Sequence, residues 1–304
     1  MNFFENTRKP QGFGGKLMTK MMNIGHAKLS QWGFSNISVN PDAAVLDVGC
    51  GGGANIVAWL GKCGNGHVTG MDYSKVSVAE SQKLNATAIK QGKCCVVQGD
   101  VSAIPFPDAV FDYVSAFETV YFWPGLEKCF FEVNRVLKNG GTFLICNESD
   151  GTNAADEKWT KLIDGMKIYT SEQLVAALKE AGFRTVQVSL DGASAESHEW
   201  IRNQPGSFER AKEALRILVD RGFYVGVACT PSKKNLNEID EIIKIVEEIG
   251  VNEFRMQPLM RMGRAKGMSE FFLDDKEYYK LSTKIKKYAI EKKEHTLHIR
   301  ISKL

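Results

Sequence analysis

The fold of this chain is predicted outward from residues 45–53, which read Val45-Leu46-Asp47-Val48-Gly49-Cys50-Gly51-Gly52-Gly53. Its first four residues form an apolar run with one carboxylate, and this pattern predicts a buried strand. The glycines that follow allow the backbone to turn sharply and to approach a ligand closely. A helix is predicted near 54–61, directly after the turn. The order strand, glycine-rich turn, helix therefore predicts a ligand site at the end of this strand.

Short β-branched runs alternate with longer helical stretches from residue 43 onward. Strands are predicted at 44–48, 66–71, 93–97, 111–116 and 141–146, and helices near 54–61, 75–91, 125–138 and 171–181. This alternation predicts an α/β fold with a doubly wound parallel sheet. Residues 1–42, which show helical spacing through 16–32, are predicted to form an N-terminal helical lid outside the sheet.

The alternation continues after residue 182. Strands are predicted at 185–190, 223–230, 253–259 and 297–301, with helices near 207–221, 235–249 and 274–293. We find no Pro/Gly/Ser-rich linker, internal repeat or low-complexity tract that would mark a boundary. Motifs place the boundary instead, and they divide the chain into the lid, a ligand-binding domain at 43–188 and a second domain at 189–304.

The composition is that of an ordinary folded protein of 304 residues, with 43% hydrophobic and 25% charged residues and a net charge of +3. Neither half of the chain is basic enough to predict nucleic-acid binding, and no window approaches the ~18 apolar residues of a membrane span. Seven cysteines, an odd number, favour reduced thiols over a disulfide framework. We therefore expect a cytoplasmic protein. The neighbouring Cys94 and Cys95 have no second Cys or His pair nearby, so no metal site is expected.

Two carboxylates follow the second and third predicted strands. Asp72 can accept hydrogen bonds from both hydroxyls of a ribose, a contact shared by nucleotide and adenosyl ligands. Asp100 can accept from the exocyclic amine of an adenine, and a dinucleotide-binding enzyme has no standing need for it. The two acids together therefore favour an adenosyl ligand without excluding a dinucleotide.

The glycine turn itself separates the alternatives further. Gly49, Gly51 and Ala54 also satisfy a loose dinucleotide fingerprint. However, Asp47 precedes the turn, and the turn contains no Arg or Lys that would balance a pyrophosphate. An electronegative site of this kind suits a ligand with a cationic sulfonium and an ammonium group better than one with two phosphates.

Five ordered blocks now support a resemblance to a known family. The blocks lie at 45–53, 71–72, 99–106, 111–114 and 135–142. In order and spacing they resemble the class I S-adenosylmethionine-dependent methyltransferases of the small-molecule type, over about residues 20–188. The resemblance implies a Rossmann-like methyltransferase fold with S-adenosylmethionine as cofactor. It implies methionine-end contacts at Asp47, Gly49, Gly51 and Gly53, ribose contacts at Asp72, and adenine contacts at Asp100 and Val101.

The acceptor side of the predicted site follows the fourth strand. Methyl transfer is an in-line displacement in which positioning and desolvation supply much of the catalysis, so a dedicated base is optional. Glu118, Tyr121 and Trp123 are the predicted catalytic residues, and His26 on the lid is a further candidate. Each of these residues also has a purely structural interpretation. Glu118 can be a solvated loop acid, and Tyr121 and Trp123 can pack under the lid. His26 can be a surface or capping histidine.

The chain after residue 187 resembles a different family. Blocks at 187–193, 201–202, 205–208, 227–231, 255–259 and 263–265 are similar to the C-terminal half of a radical S-adenosylmethionine enzyme barrel. The resemblance implies a partial α/β barrel in which Ser189, Asp191 and Arg255 help to hold the cofactor. The family needs three thiolates, usually spaced C-x3-C-x2-C, to ligate an iron–sulfur cluster, and this chain has neither that spacing nor a Gly-Gly-Glu block.

The sequence therefore predicts methyl transfer from S-adenosylmethionine to a small-molecule acceptor, with the second domain as a scaffold or docking element. The alternatives are a radical enzyme fragment that needs a partner for its cluster, and a non-catalytic fusion. The open half-barrel leads us to expect a protein partner or self-association there. The acceptor atom cannot be derived from the residues.

Overall fold

The computed structural model describes residues 5–35, 37, 39–149, 151, 156–259, 267, 269–291 and 297–301. The chain divides into two compact units, Met1–Gly182 and Phe183–Leu304. We take the two units separately below.

The first unit is built on a five-stranded parallel sheet. Its strands are β1 (Ala44–Val48), β2 (His67–Asp72), β3 (Cys94–Gln98), β4 (Phe111–Phe117) and β5 (Leu137–Cys146). They are arranged in the order β3-β2-β1-β4-β5, and all neighbouring strands are parallel. The strand order reverses between β1 and β4, and the loops that follow these two strands meet at that switch point, where open α/β sheets bind ligands. The predicted doubly wound sheet is thus confirmed.

Nine helices are described in the first unit. They are α1 (Glu5–Arg8), α2 (Gly12–Gly25), α3 (Ala27–Ser35), α4 (Ala54–Lys62), α5 (Lys75–Leu84), α6 (Ala86–Lys90), α7 (Leu126–Val136), α8 (Asp156–Leu162) and α9 (Ser171–Glu180). The single helix predicted near 75–91 is divided at Asn85, whose side-chain amide donates to the carbonyls of Gly53 (3.2 Å) and Ser81 (3.0 Å). Strand β5 begins at Leu137 instead of 141, because Leu137 already pairs with Phe111.

The core of the first unit centres on Trp59, which is fully buried on α4. Its ring lies 5.1 Å from that of Phe34 on α3 in an edge-to-face arrangement and 5.7 Å from that of Tyr113 on β4. The Phe34 ring is also 4.9 Å from that of Phe117 at the end of β4. Aromatic contacts of this type stabilise a core beyond their buried area. They fix the N-terminal helices against the switch point.

The second unit contains four parallel strands with helices between them. The strands are β6 (Thr185–Ser189), β7 (Tyr224–Cys229), β8 (Glu253–Met256) and β9 (His298–Ile301), and the helices are α10 (Ala195–Arg202), α11 (Ser207–Asp220), α12 (Ile239–Ile249) and α13 (Asp275–Glu291). The sheet order is β6-β7-β8-β9. A sequential parallel sheet with intervening helices confirms the predicted partial α/β barrel.

Three details of the second unit differ from the sequence-based expectations or lie beyond them. The division falls after Gly182, earlier than the boundary we placed at 188, and β6 pairs with β7 in the second sheet. The strand predicted at 297–301 is β9, which pairs with β8 in the second sheet. The block at 263–265 lies outside the described residues.

The two faces of the second sheet differ in polarity. Val225, Val227 and Phe254 are fully buried on one face. The other face holds Glu253, which pairs with Arg255 (2.6 Å) and with Arg300 (3.1 Å). In neither unit does a described helix have the length and apolarity needed to cross a membrane.

Candidate functional site

A cavity of about 390 Å³ lies in the first unit at the carboxyl ends of β1, β2 and β4. One wall is the glycine turn from Gly49 to Gly52, and the N-terminal helices form the opposite side. Of the residues that the sequence predicts to bind or act on a ligand, those that line the cavity are His26, Gly49, Gly51, Asp72, Asp100, Val101, Glu118 and Trp123. The structure therefore brings the predicted cofactor end and the predicted acceptor end to one space.

Two glycines of the turn line the cavity with a positive φ, and they differ in what a Cβ atom would meet. Gly49 has φ +70°, and a Cβ atom there would lie 2.2 Å from Oγ1 of Thr119. Gly51 has φ +51°, and a Cβ atom there would meet no atom within 4 Å because it would project into open space. Gly49 is therefore required by packing. Gly51 leaves room where a ligand can approach the backbone.

Asp72 lies at the end of β2 and is 7% exposed. Its Oδ2 accepts from the backbone N–H of Gly51 (3.0 Å), and its Oδ1 accepts from the backbone N–H of Ser74 (2.8 Å). Burial raises the pKa of the carboxyl group, and both hydrogen bonds oppose that shift. Each carboxylate oxygen has a second lone pair, so Asp72 keeps acceptor capacity toward the cavity.

Asp47 does not line the cavity, although the sequence places it among the cofactor contacts. It is 1% exposed, and its Oδ1 accepts from the hydroxyl of Ser115 on β4 (2.6 Å). Its Oδ2 has no hydrogen-bond partner among the described residues. Burial raises the pKa of Asp47 to about 7, with the charge of Asp72 adding to the shift and the Ser115 hydrogen bond opposing it. The carboxyl group lies beneath the turn, where it supports the loop.

Gly53 and Tyr121 also lie behind the cavity wall. Gly53 is buried, and its carbonyl accepts from Asn85. Tyr121 is 3% exposed, and its hydroxyl lies 3.3 Å from Oε1 of Glu118 and accepts from the backbone N–H of Ser149 (2.8 Å). Tyr121 can therefore position Glu118, which makes it a supporting residue instead of a cavity-facing one.

Asp100 and Val101 follow β3 and line the same end of the cavity as Asp72. Asp100 is exposed, and its Oδ1 accepts from the backbone N–H of Ser102 (2.8 Å). Val101 is 8% exposed and offers an apolar surface. A carboxylate beside an apolar side chain can recognise a flat ring that has an amine at its edge.

Residues of the N-terminal helices, the segment predicted as a lid, line one side of the cavity. The carbonyl of Pro10 accepts from the hydroxyl of Ser74 (2.8 Å), and the carbonyl of Arg8 accepts from the hydroxyl of Tyr73. Both contacts tie the first residues of the lid to the loop that follows Asp72. His26, between α2 and α3, lines the cavity. Burial lowers its pKa, and the charge of Glu148 opposes that shift.

Glu118 follows β4 at the acceptor end of the cavity. Its backbone has φ +56°, an uncommon value for a residue other than glycine, and its N–H donates to the carbonyl of Cys146 (2.9 Å). Burial is the main cause that raises the pKa of Glu118 to about 7, and the charge of Glu148 adds to it. Unusual backbone angles of this kind occur most often at functional sites.

Aromatic side chains form the wall beside Glu118. Trp123 is 6% exposed, its indole N–H donates to the hydroxyl of Thr119 (3.1 Å), and its ring stacks on Phe143 at 6.2 Å. Phe117 and Phe122 line the cavity next to it. The acceptor end therefore has apolar walls and one carboxylate.

The charges around the cavity are mostly negative. Asp72, Asp100 and Glu118 are the acidic side chains of its described lining, and Arg8 is the one lining side chain there with a permanent positive charge. Arg8 itself lies 3.8 Å from Asp164. The excess of acids agrees with the expectation that the ligand is cationic.

The second unit uses its predicted cofactor residues for internal contacts. Asp191 is fully buried, forms an ion pair with Arg202 and accepts from the backbone N–H of Thr230 (2.6 Å). Its one cysteine, Cys229, is also fully buried, and burial raises its thiol pKa well above the usual value. An iron–sulfur cluster that needs three thiolates does not fit a unit with a single cysteine.

Sequence reasoning missed several residues that shape the site. Ser115 lies in β4 and donates to Asp47 of β1, and Thr119 follows β4 and lies against Gly49 of the turn. No local signal marks them, because a serine inside a strand and a threonine in a loop are common. Glu148 was also missed, although it follows β5 at the same edge of the sheet as Glu118 and a carboxylate in that position could have been noted.

Comparison with known families agrees with this arrangement. The family described as a methyltransferase domain matches residues 46–145, from β1 to the end of β5. The radical SAM superfamily matches residues 131–246, beginning in the first unit and ending in α12. The chain is therefore similar to a methyltransferase domain over residues 46–145 and to part of a radical SAM domain over residues 131–246, in agreement with both resemblances. Both kinds of domain bind S-adenosylmethionine.

The individual relatives include proteins of both kinds. Cycloartenol-C-24-methyltransferase 1 of Oryza sativa is 28% identical over 235 residues, which cover 71% of this chain and 68% of that protein. An AdoMet-dependent heme synthase of Methanosarcina barkeri is 35% identical over 92 residues, 30% of this chain and 26% of that protein. A solved Haloferax volcanii methyltransferase, in complex with the Trm112 methyltransferase activator, has a TM-score of 0.51 and 25% identity over 54% of this chain and 71% of that chain.

This chain corresponds to only part of the length of several relatives. The chain spans 41% to 47% of two further sterol methyltransferases that it matches, and about a quarter of the heme synthase. The activities of these whole relatives therefore do not by themselves establish the activity of this chain.

Proposed function

We propose that the first unit is a methyltransferase that binds S-adenosylmethionine in the cavity and transfers its methyl group to a small-molecule acceptor. One observation supports this most strongly. The cavity joins the glycine turn, Asp72 and Asp100 at one end to Glu118 and Trp123 at the other, beneath the N-terminal helices. When bound, S-adenosylmethionine supplies a methyl group activated on a sulfonium.

The residues of the chain bind and orient the two reactants. Asp72 accepts hydrogen bonds from the ribose hydroxyls with its free lone pairs, and Asp100 and Val101 hold the adenine. Gly51 allows the methionine end to lie against the backbone of the turn. The excess of acidic side chains favours the positive charge of the ligand over its neutral product. Asp47 acts from β1, two residues before the turn, where its hydrogen bond with Ser115 joins β1 to β4.

At the acceptor end, Glu118 and Trp123 place the acceptor. The aromatic walls exclude water, and Glu118 can receive the proton that a hydroxyl or amine acceptor loses on methylation. Tyr121 is a positioning residue for Glu118. The curated relatives named as sterol and cycloartenol C-24-methyltransferases suggest that an apolar acceptor should be included in an acceptor screen.

Asp72 provides the test of the cofactor site. Replacing it by Ala removes both acceptors, and the loss of hydrogen bonds to a charged group should weaken binding of S-adenosylhomocysteine by about 1.5–3 kcal/mol, or roughly 10–150-fold. Calorimetric titration of the full chain measures this. Asp42→Ala, an exposed aspartate before β1, is the matched control and should bind as the wild type does. Unchanged affinity in Asp72→Ala would contradict the ribose assignment.

We propose further that the protein is a fusion that works in the cytoplasm and that its second unit serves as a scaffold or as a docking element for a protein partner or a second copy. All seven cysteines are free, which suits a reducing compartment. The edge strand β6 supports docking, because it has one neighbour in the sheet and unpaired strand edges readily pair with another chain.

A further inference from the structure

Three side chains from separate parts of the first unit converge beside the acceptor end of the cavity, which His26 and Glu118 line. His26 comes from the junction of α2 and α3, Glu118 from the end of β4, and Glu148 from the loop after β5. One ligand-type atom from each residue, an imidazole nitrogen or a carboxylate oxygen, lies within 4.8 Å of the other two. No metal site was predicted from the sequence here, since the three residues are far apart along the chain.

We propose that His26, Glu118 and Glu148 bind one divalent first-row transition-metal ion, and that this ion selects an acceptor that presents an oxygen ligand. One imidazole and two carboxylates form a mixed nitrogen and oxygen donor set of the kind that such ions prefer. Three protein ligands also leave open positions on the ion, as in catalytic metal sites.

The distances allow ligation after small movements. Two ligand atoms that are each about 2.1 Å from one ion can be no more than about 4.2 Å apart. The three atoms here lie within 4.8 Å of one another, and Glu148 is exposed, so its side chain can rotate toward the other two. Glu118 needs little movement, since the Tyr121 hydroxyl and the backbone N–H of Glu148 already hold its carboxylate.

The charges at the cluster are not balanced by the protein. Glu118 and Glu148 face each other, and each lacks an ion pair with a Lys or Arg in the described part of the chain. Next to Glu148 in the chain, the side-chain oxygen of Asn147 is buried and accepts no hydrogen bond from the described residues. A bound cation would compensate the two charges.

The ion would act on the acceptor, so its role in methyl transfer rests on the proposed function, whereas its binding does not. A hydroxyl or carboxylate oxygen of the acceptor can occupy an open position on the ion, next to the aromatic wall at Trp123. The lid would take part directly, because His26 belongs to it.

Cobalt(II) provides the test, with untagged full-length chain and visible absorption as the readout. We expect one Co²⁺ per chain and at least tenfold weaker binding in His26→Gln and in Glu148→Gln, since even the loss of outer ligand contacts weakens metal binding 10- to 100-fold. The matched controls are the exposed His298→Gln and Glu180→Gln, which should bind as the wild type does. Magnesium should bind more weakly than cobalt, because it disfavours imidazole.

Several outcomes would overturn the proposal. They are no stoichiometric Co²⁺ binding, wild-type affinity in both cluster variants, a thiolate charge-transfer band, or magnesium binding as tight as that of cobalt. Circular dichroism checks that the variants fold, and Glu148→Gln decides the matter if His26→Gln does not fold, because Glu148 is exposed. Calorimetry with S-adenosylhomocysteine on the same samples tests the proposed function separately, since failure there leaves the metal result standing.

Discussion

Ser115 on β4 donates its hydroxyl to the carboxylate of Asp47 on β1 across 2.6 Å, and the indole N–H of Trp59 on α4 donates to the same hydroxyl oxygen across 2.9 Å. All three residues are at most 1% exposed. This buried chain of hydrogen bonds joins both central strands to α4 directly beneath the glycine turn. It explains how a carboxylate without a cationic partner is held there.

Replacing Ser115 by Ala should destabilise the first unit by roughly 2–4 kcal/mol, because the Trp59 indole and the Asp47 carboxylate both lose a partner and each unmet buried polar group costs about 1–3 kcal/mol. Urea unfolding measures the change. Ser207→Ala is the control, since the Ser207 hydroxyl is buried without a hydrogen-bond partner among the described residues and its removal should be nearly neutral. A loss below about 0.5 kcal/mol in Ser115→Ala would show that the network contributes little.

The stability of the first unit should fall as the pH rises from about 4 to about 7, because the Asp47 pKa is raised from 3.8 to about 7. In this range the folded state keeps a proton that the unfolded state releases, so rising pH favours unfolding. The full effect is on the order of 4 kcal/mol for a shift of this size. Asp47→Asn should reduce the dependence of the unfolding free energy on pH without abolishing it, because Glu118, whose pKa is also raised to about 7, contributes in the same range, whereas the exposed Asp42→Asn should keep the full dependence. Equal slopes in wild type and Asp47→Asn would refute the assignment.

Gly51→Ala should retain the fold and lose at least tenfold in affinity for S-adenosylhomocysteine, because the new methyl group would occupy the open space beside the turn. Gly92→Ala is a closely matched control. Gly92 has φ +70° and Gly51 has φ +51°, and a Cβ atom at either position meets nothing within 4 Å, but Gly92 lies in an exposed turn. Both variants carry a similar backbone penalty of roughly 1–2 kcal/mol. If both bind the ligand equally well, the ligand does not approach the turn at Gly51.

Much of the fold follows from local patterns. The run at 45–53 predicts β1, the turn and α4, and the alternation that follows predicts the remaining strands, since a parallel sheet buried on both faces needs short apolar strands. The division of the second predicted helix at Asn85 could not be predicted. It depends on a hydrogen bond from Asn85 to Gly53, and that contact exists only when the two segments are folded together.

The site was predicted less completely than the fold. Asp72 and Glu118 follow strand ends, which is a rule that can be applied to a sequence, and both line the cavity. Asp47 lies inside β1 and not after its end, and the hydrogen bond from Ser115 on the neighbouring strand holds its side chain away from the cavity. His26 lies near Glu148 because of the way in which the lid packs through Phe34. The spacing of these residues along the chain does not predict that they lie close together.

The central claim is that the chain has one S-adenosylmethionine site, in the cavity of the first unit, although its sequence matches two families that bind this ligand. Calorimetric titration of the full-length wild-type chain with S-adenosylhomocysteine tests it most directly. We expect one molecule of S-adenosylhomocysteine bound per chain, because the second unit lacks the three thiolates of an iron–sulfur cluster and uses Asp191 to pair with Arg202. Two molecules bound per chain, or none, would contradict it.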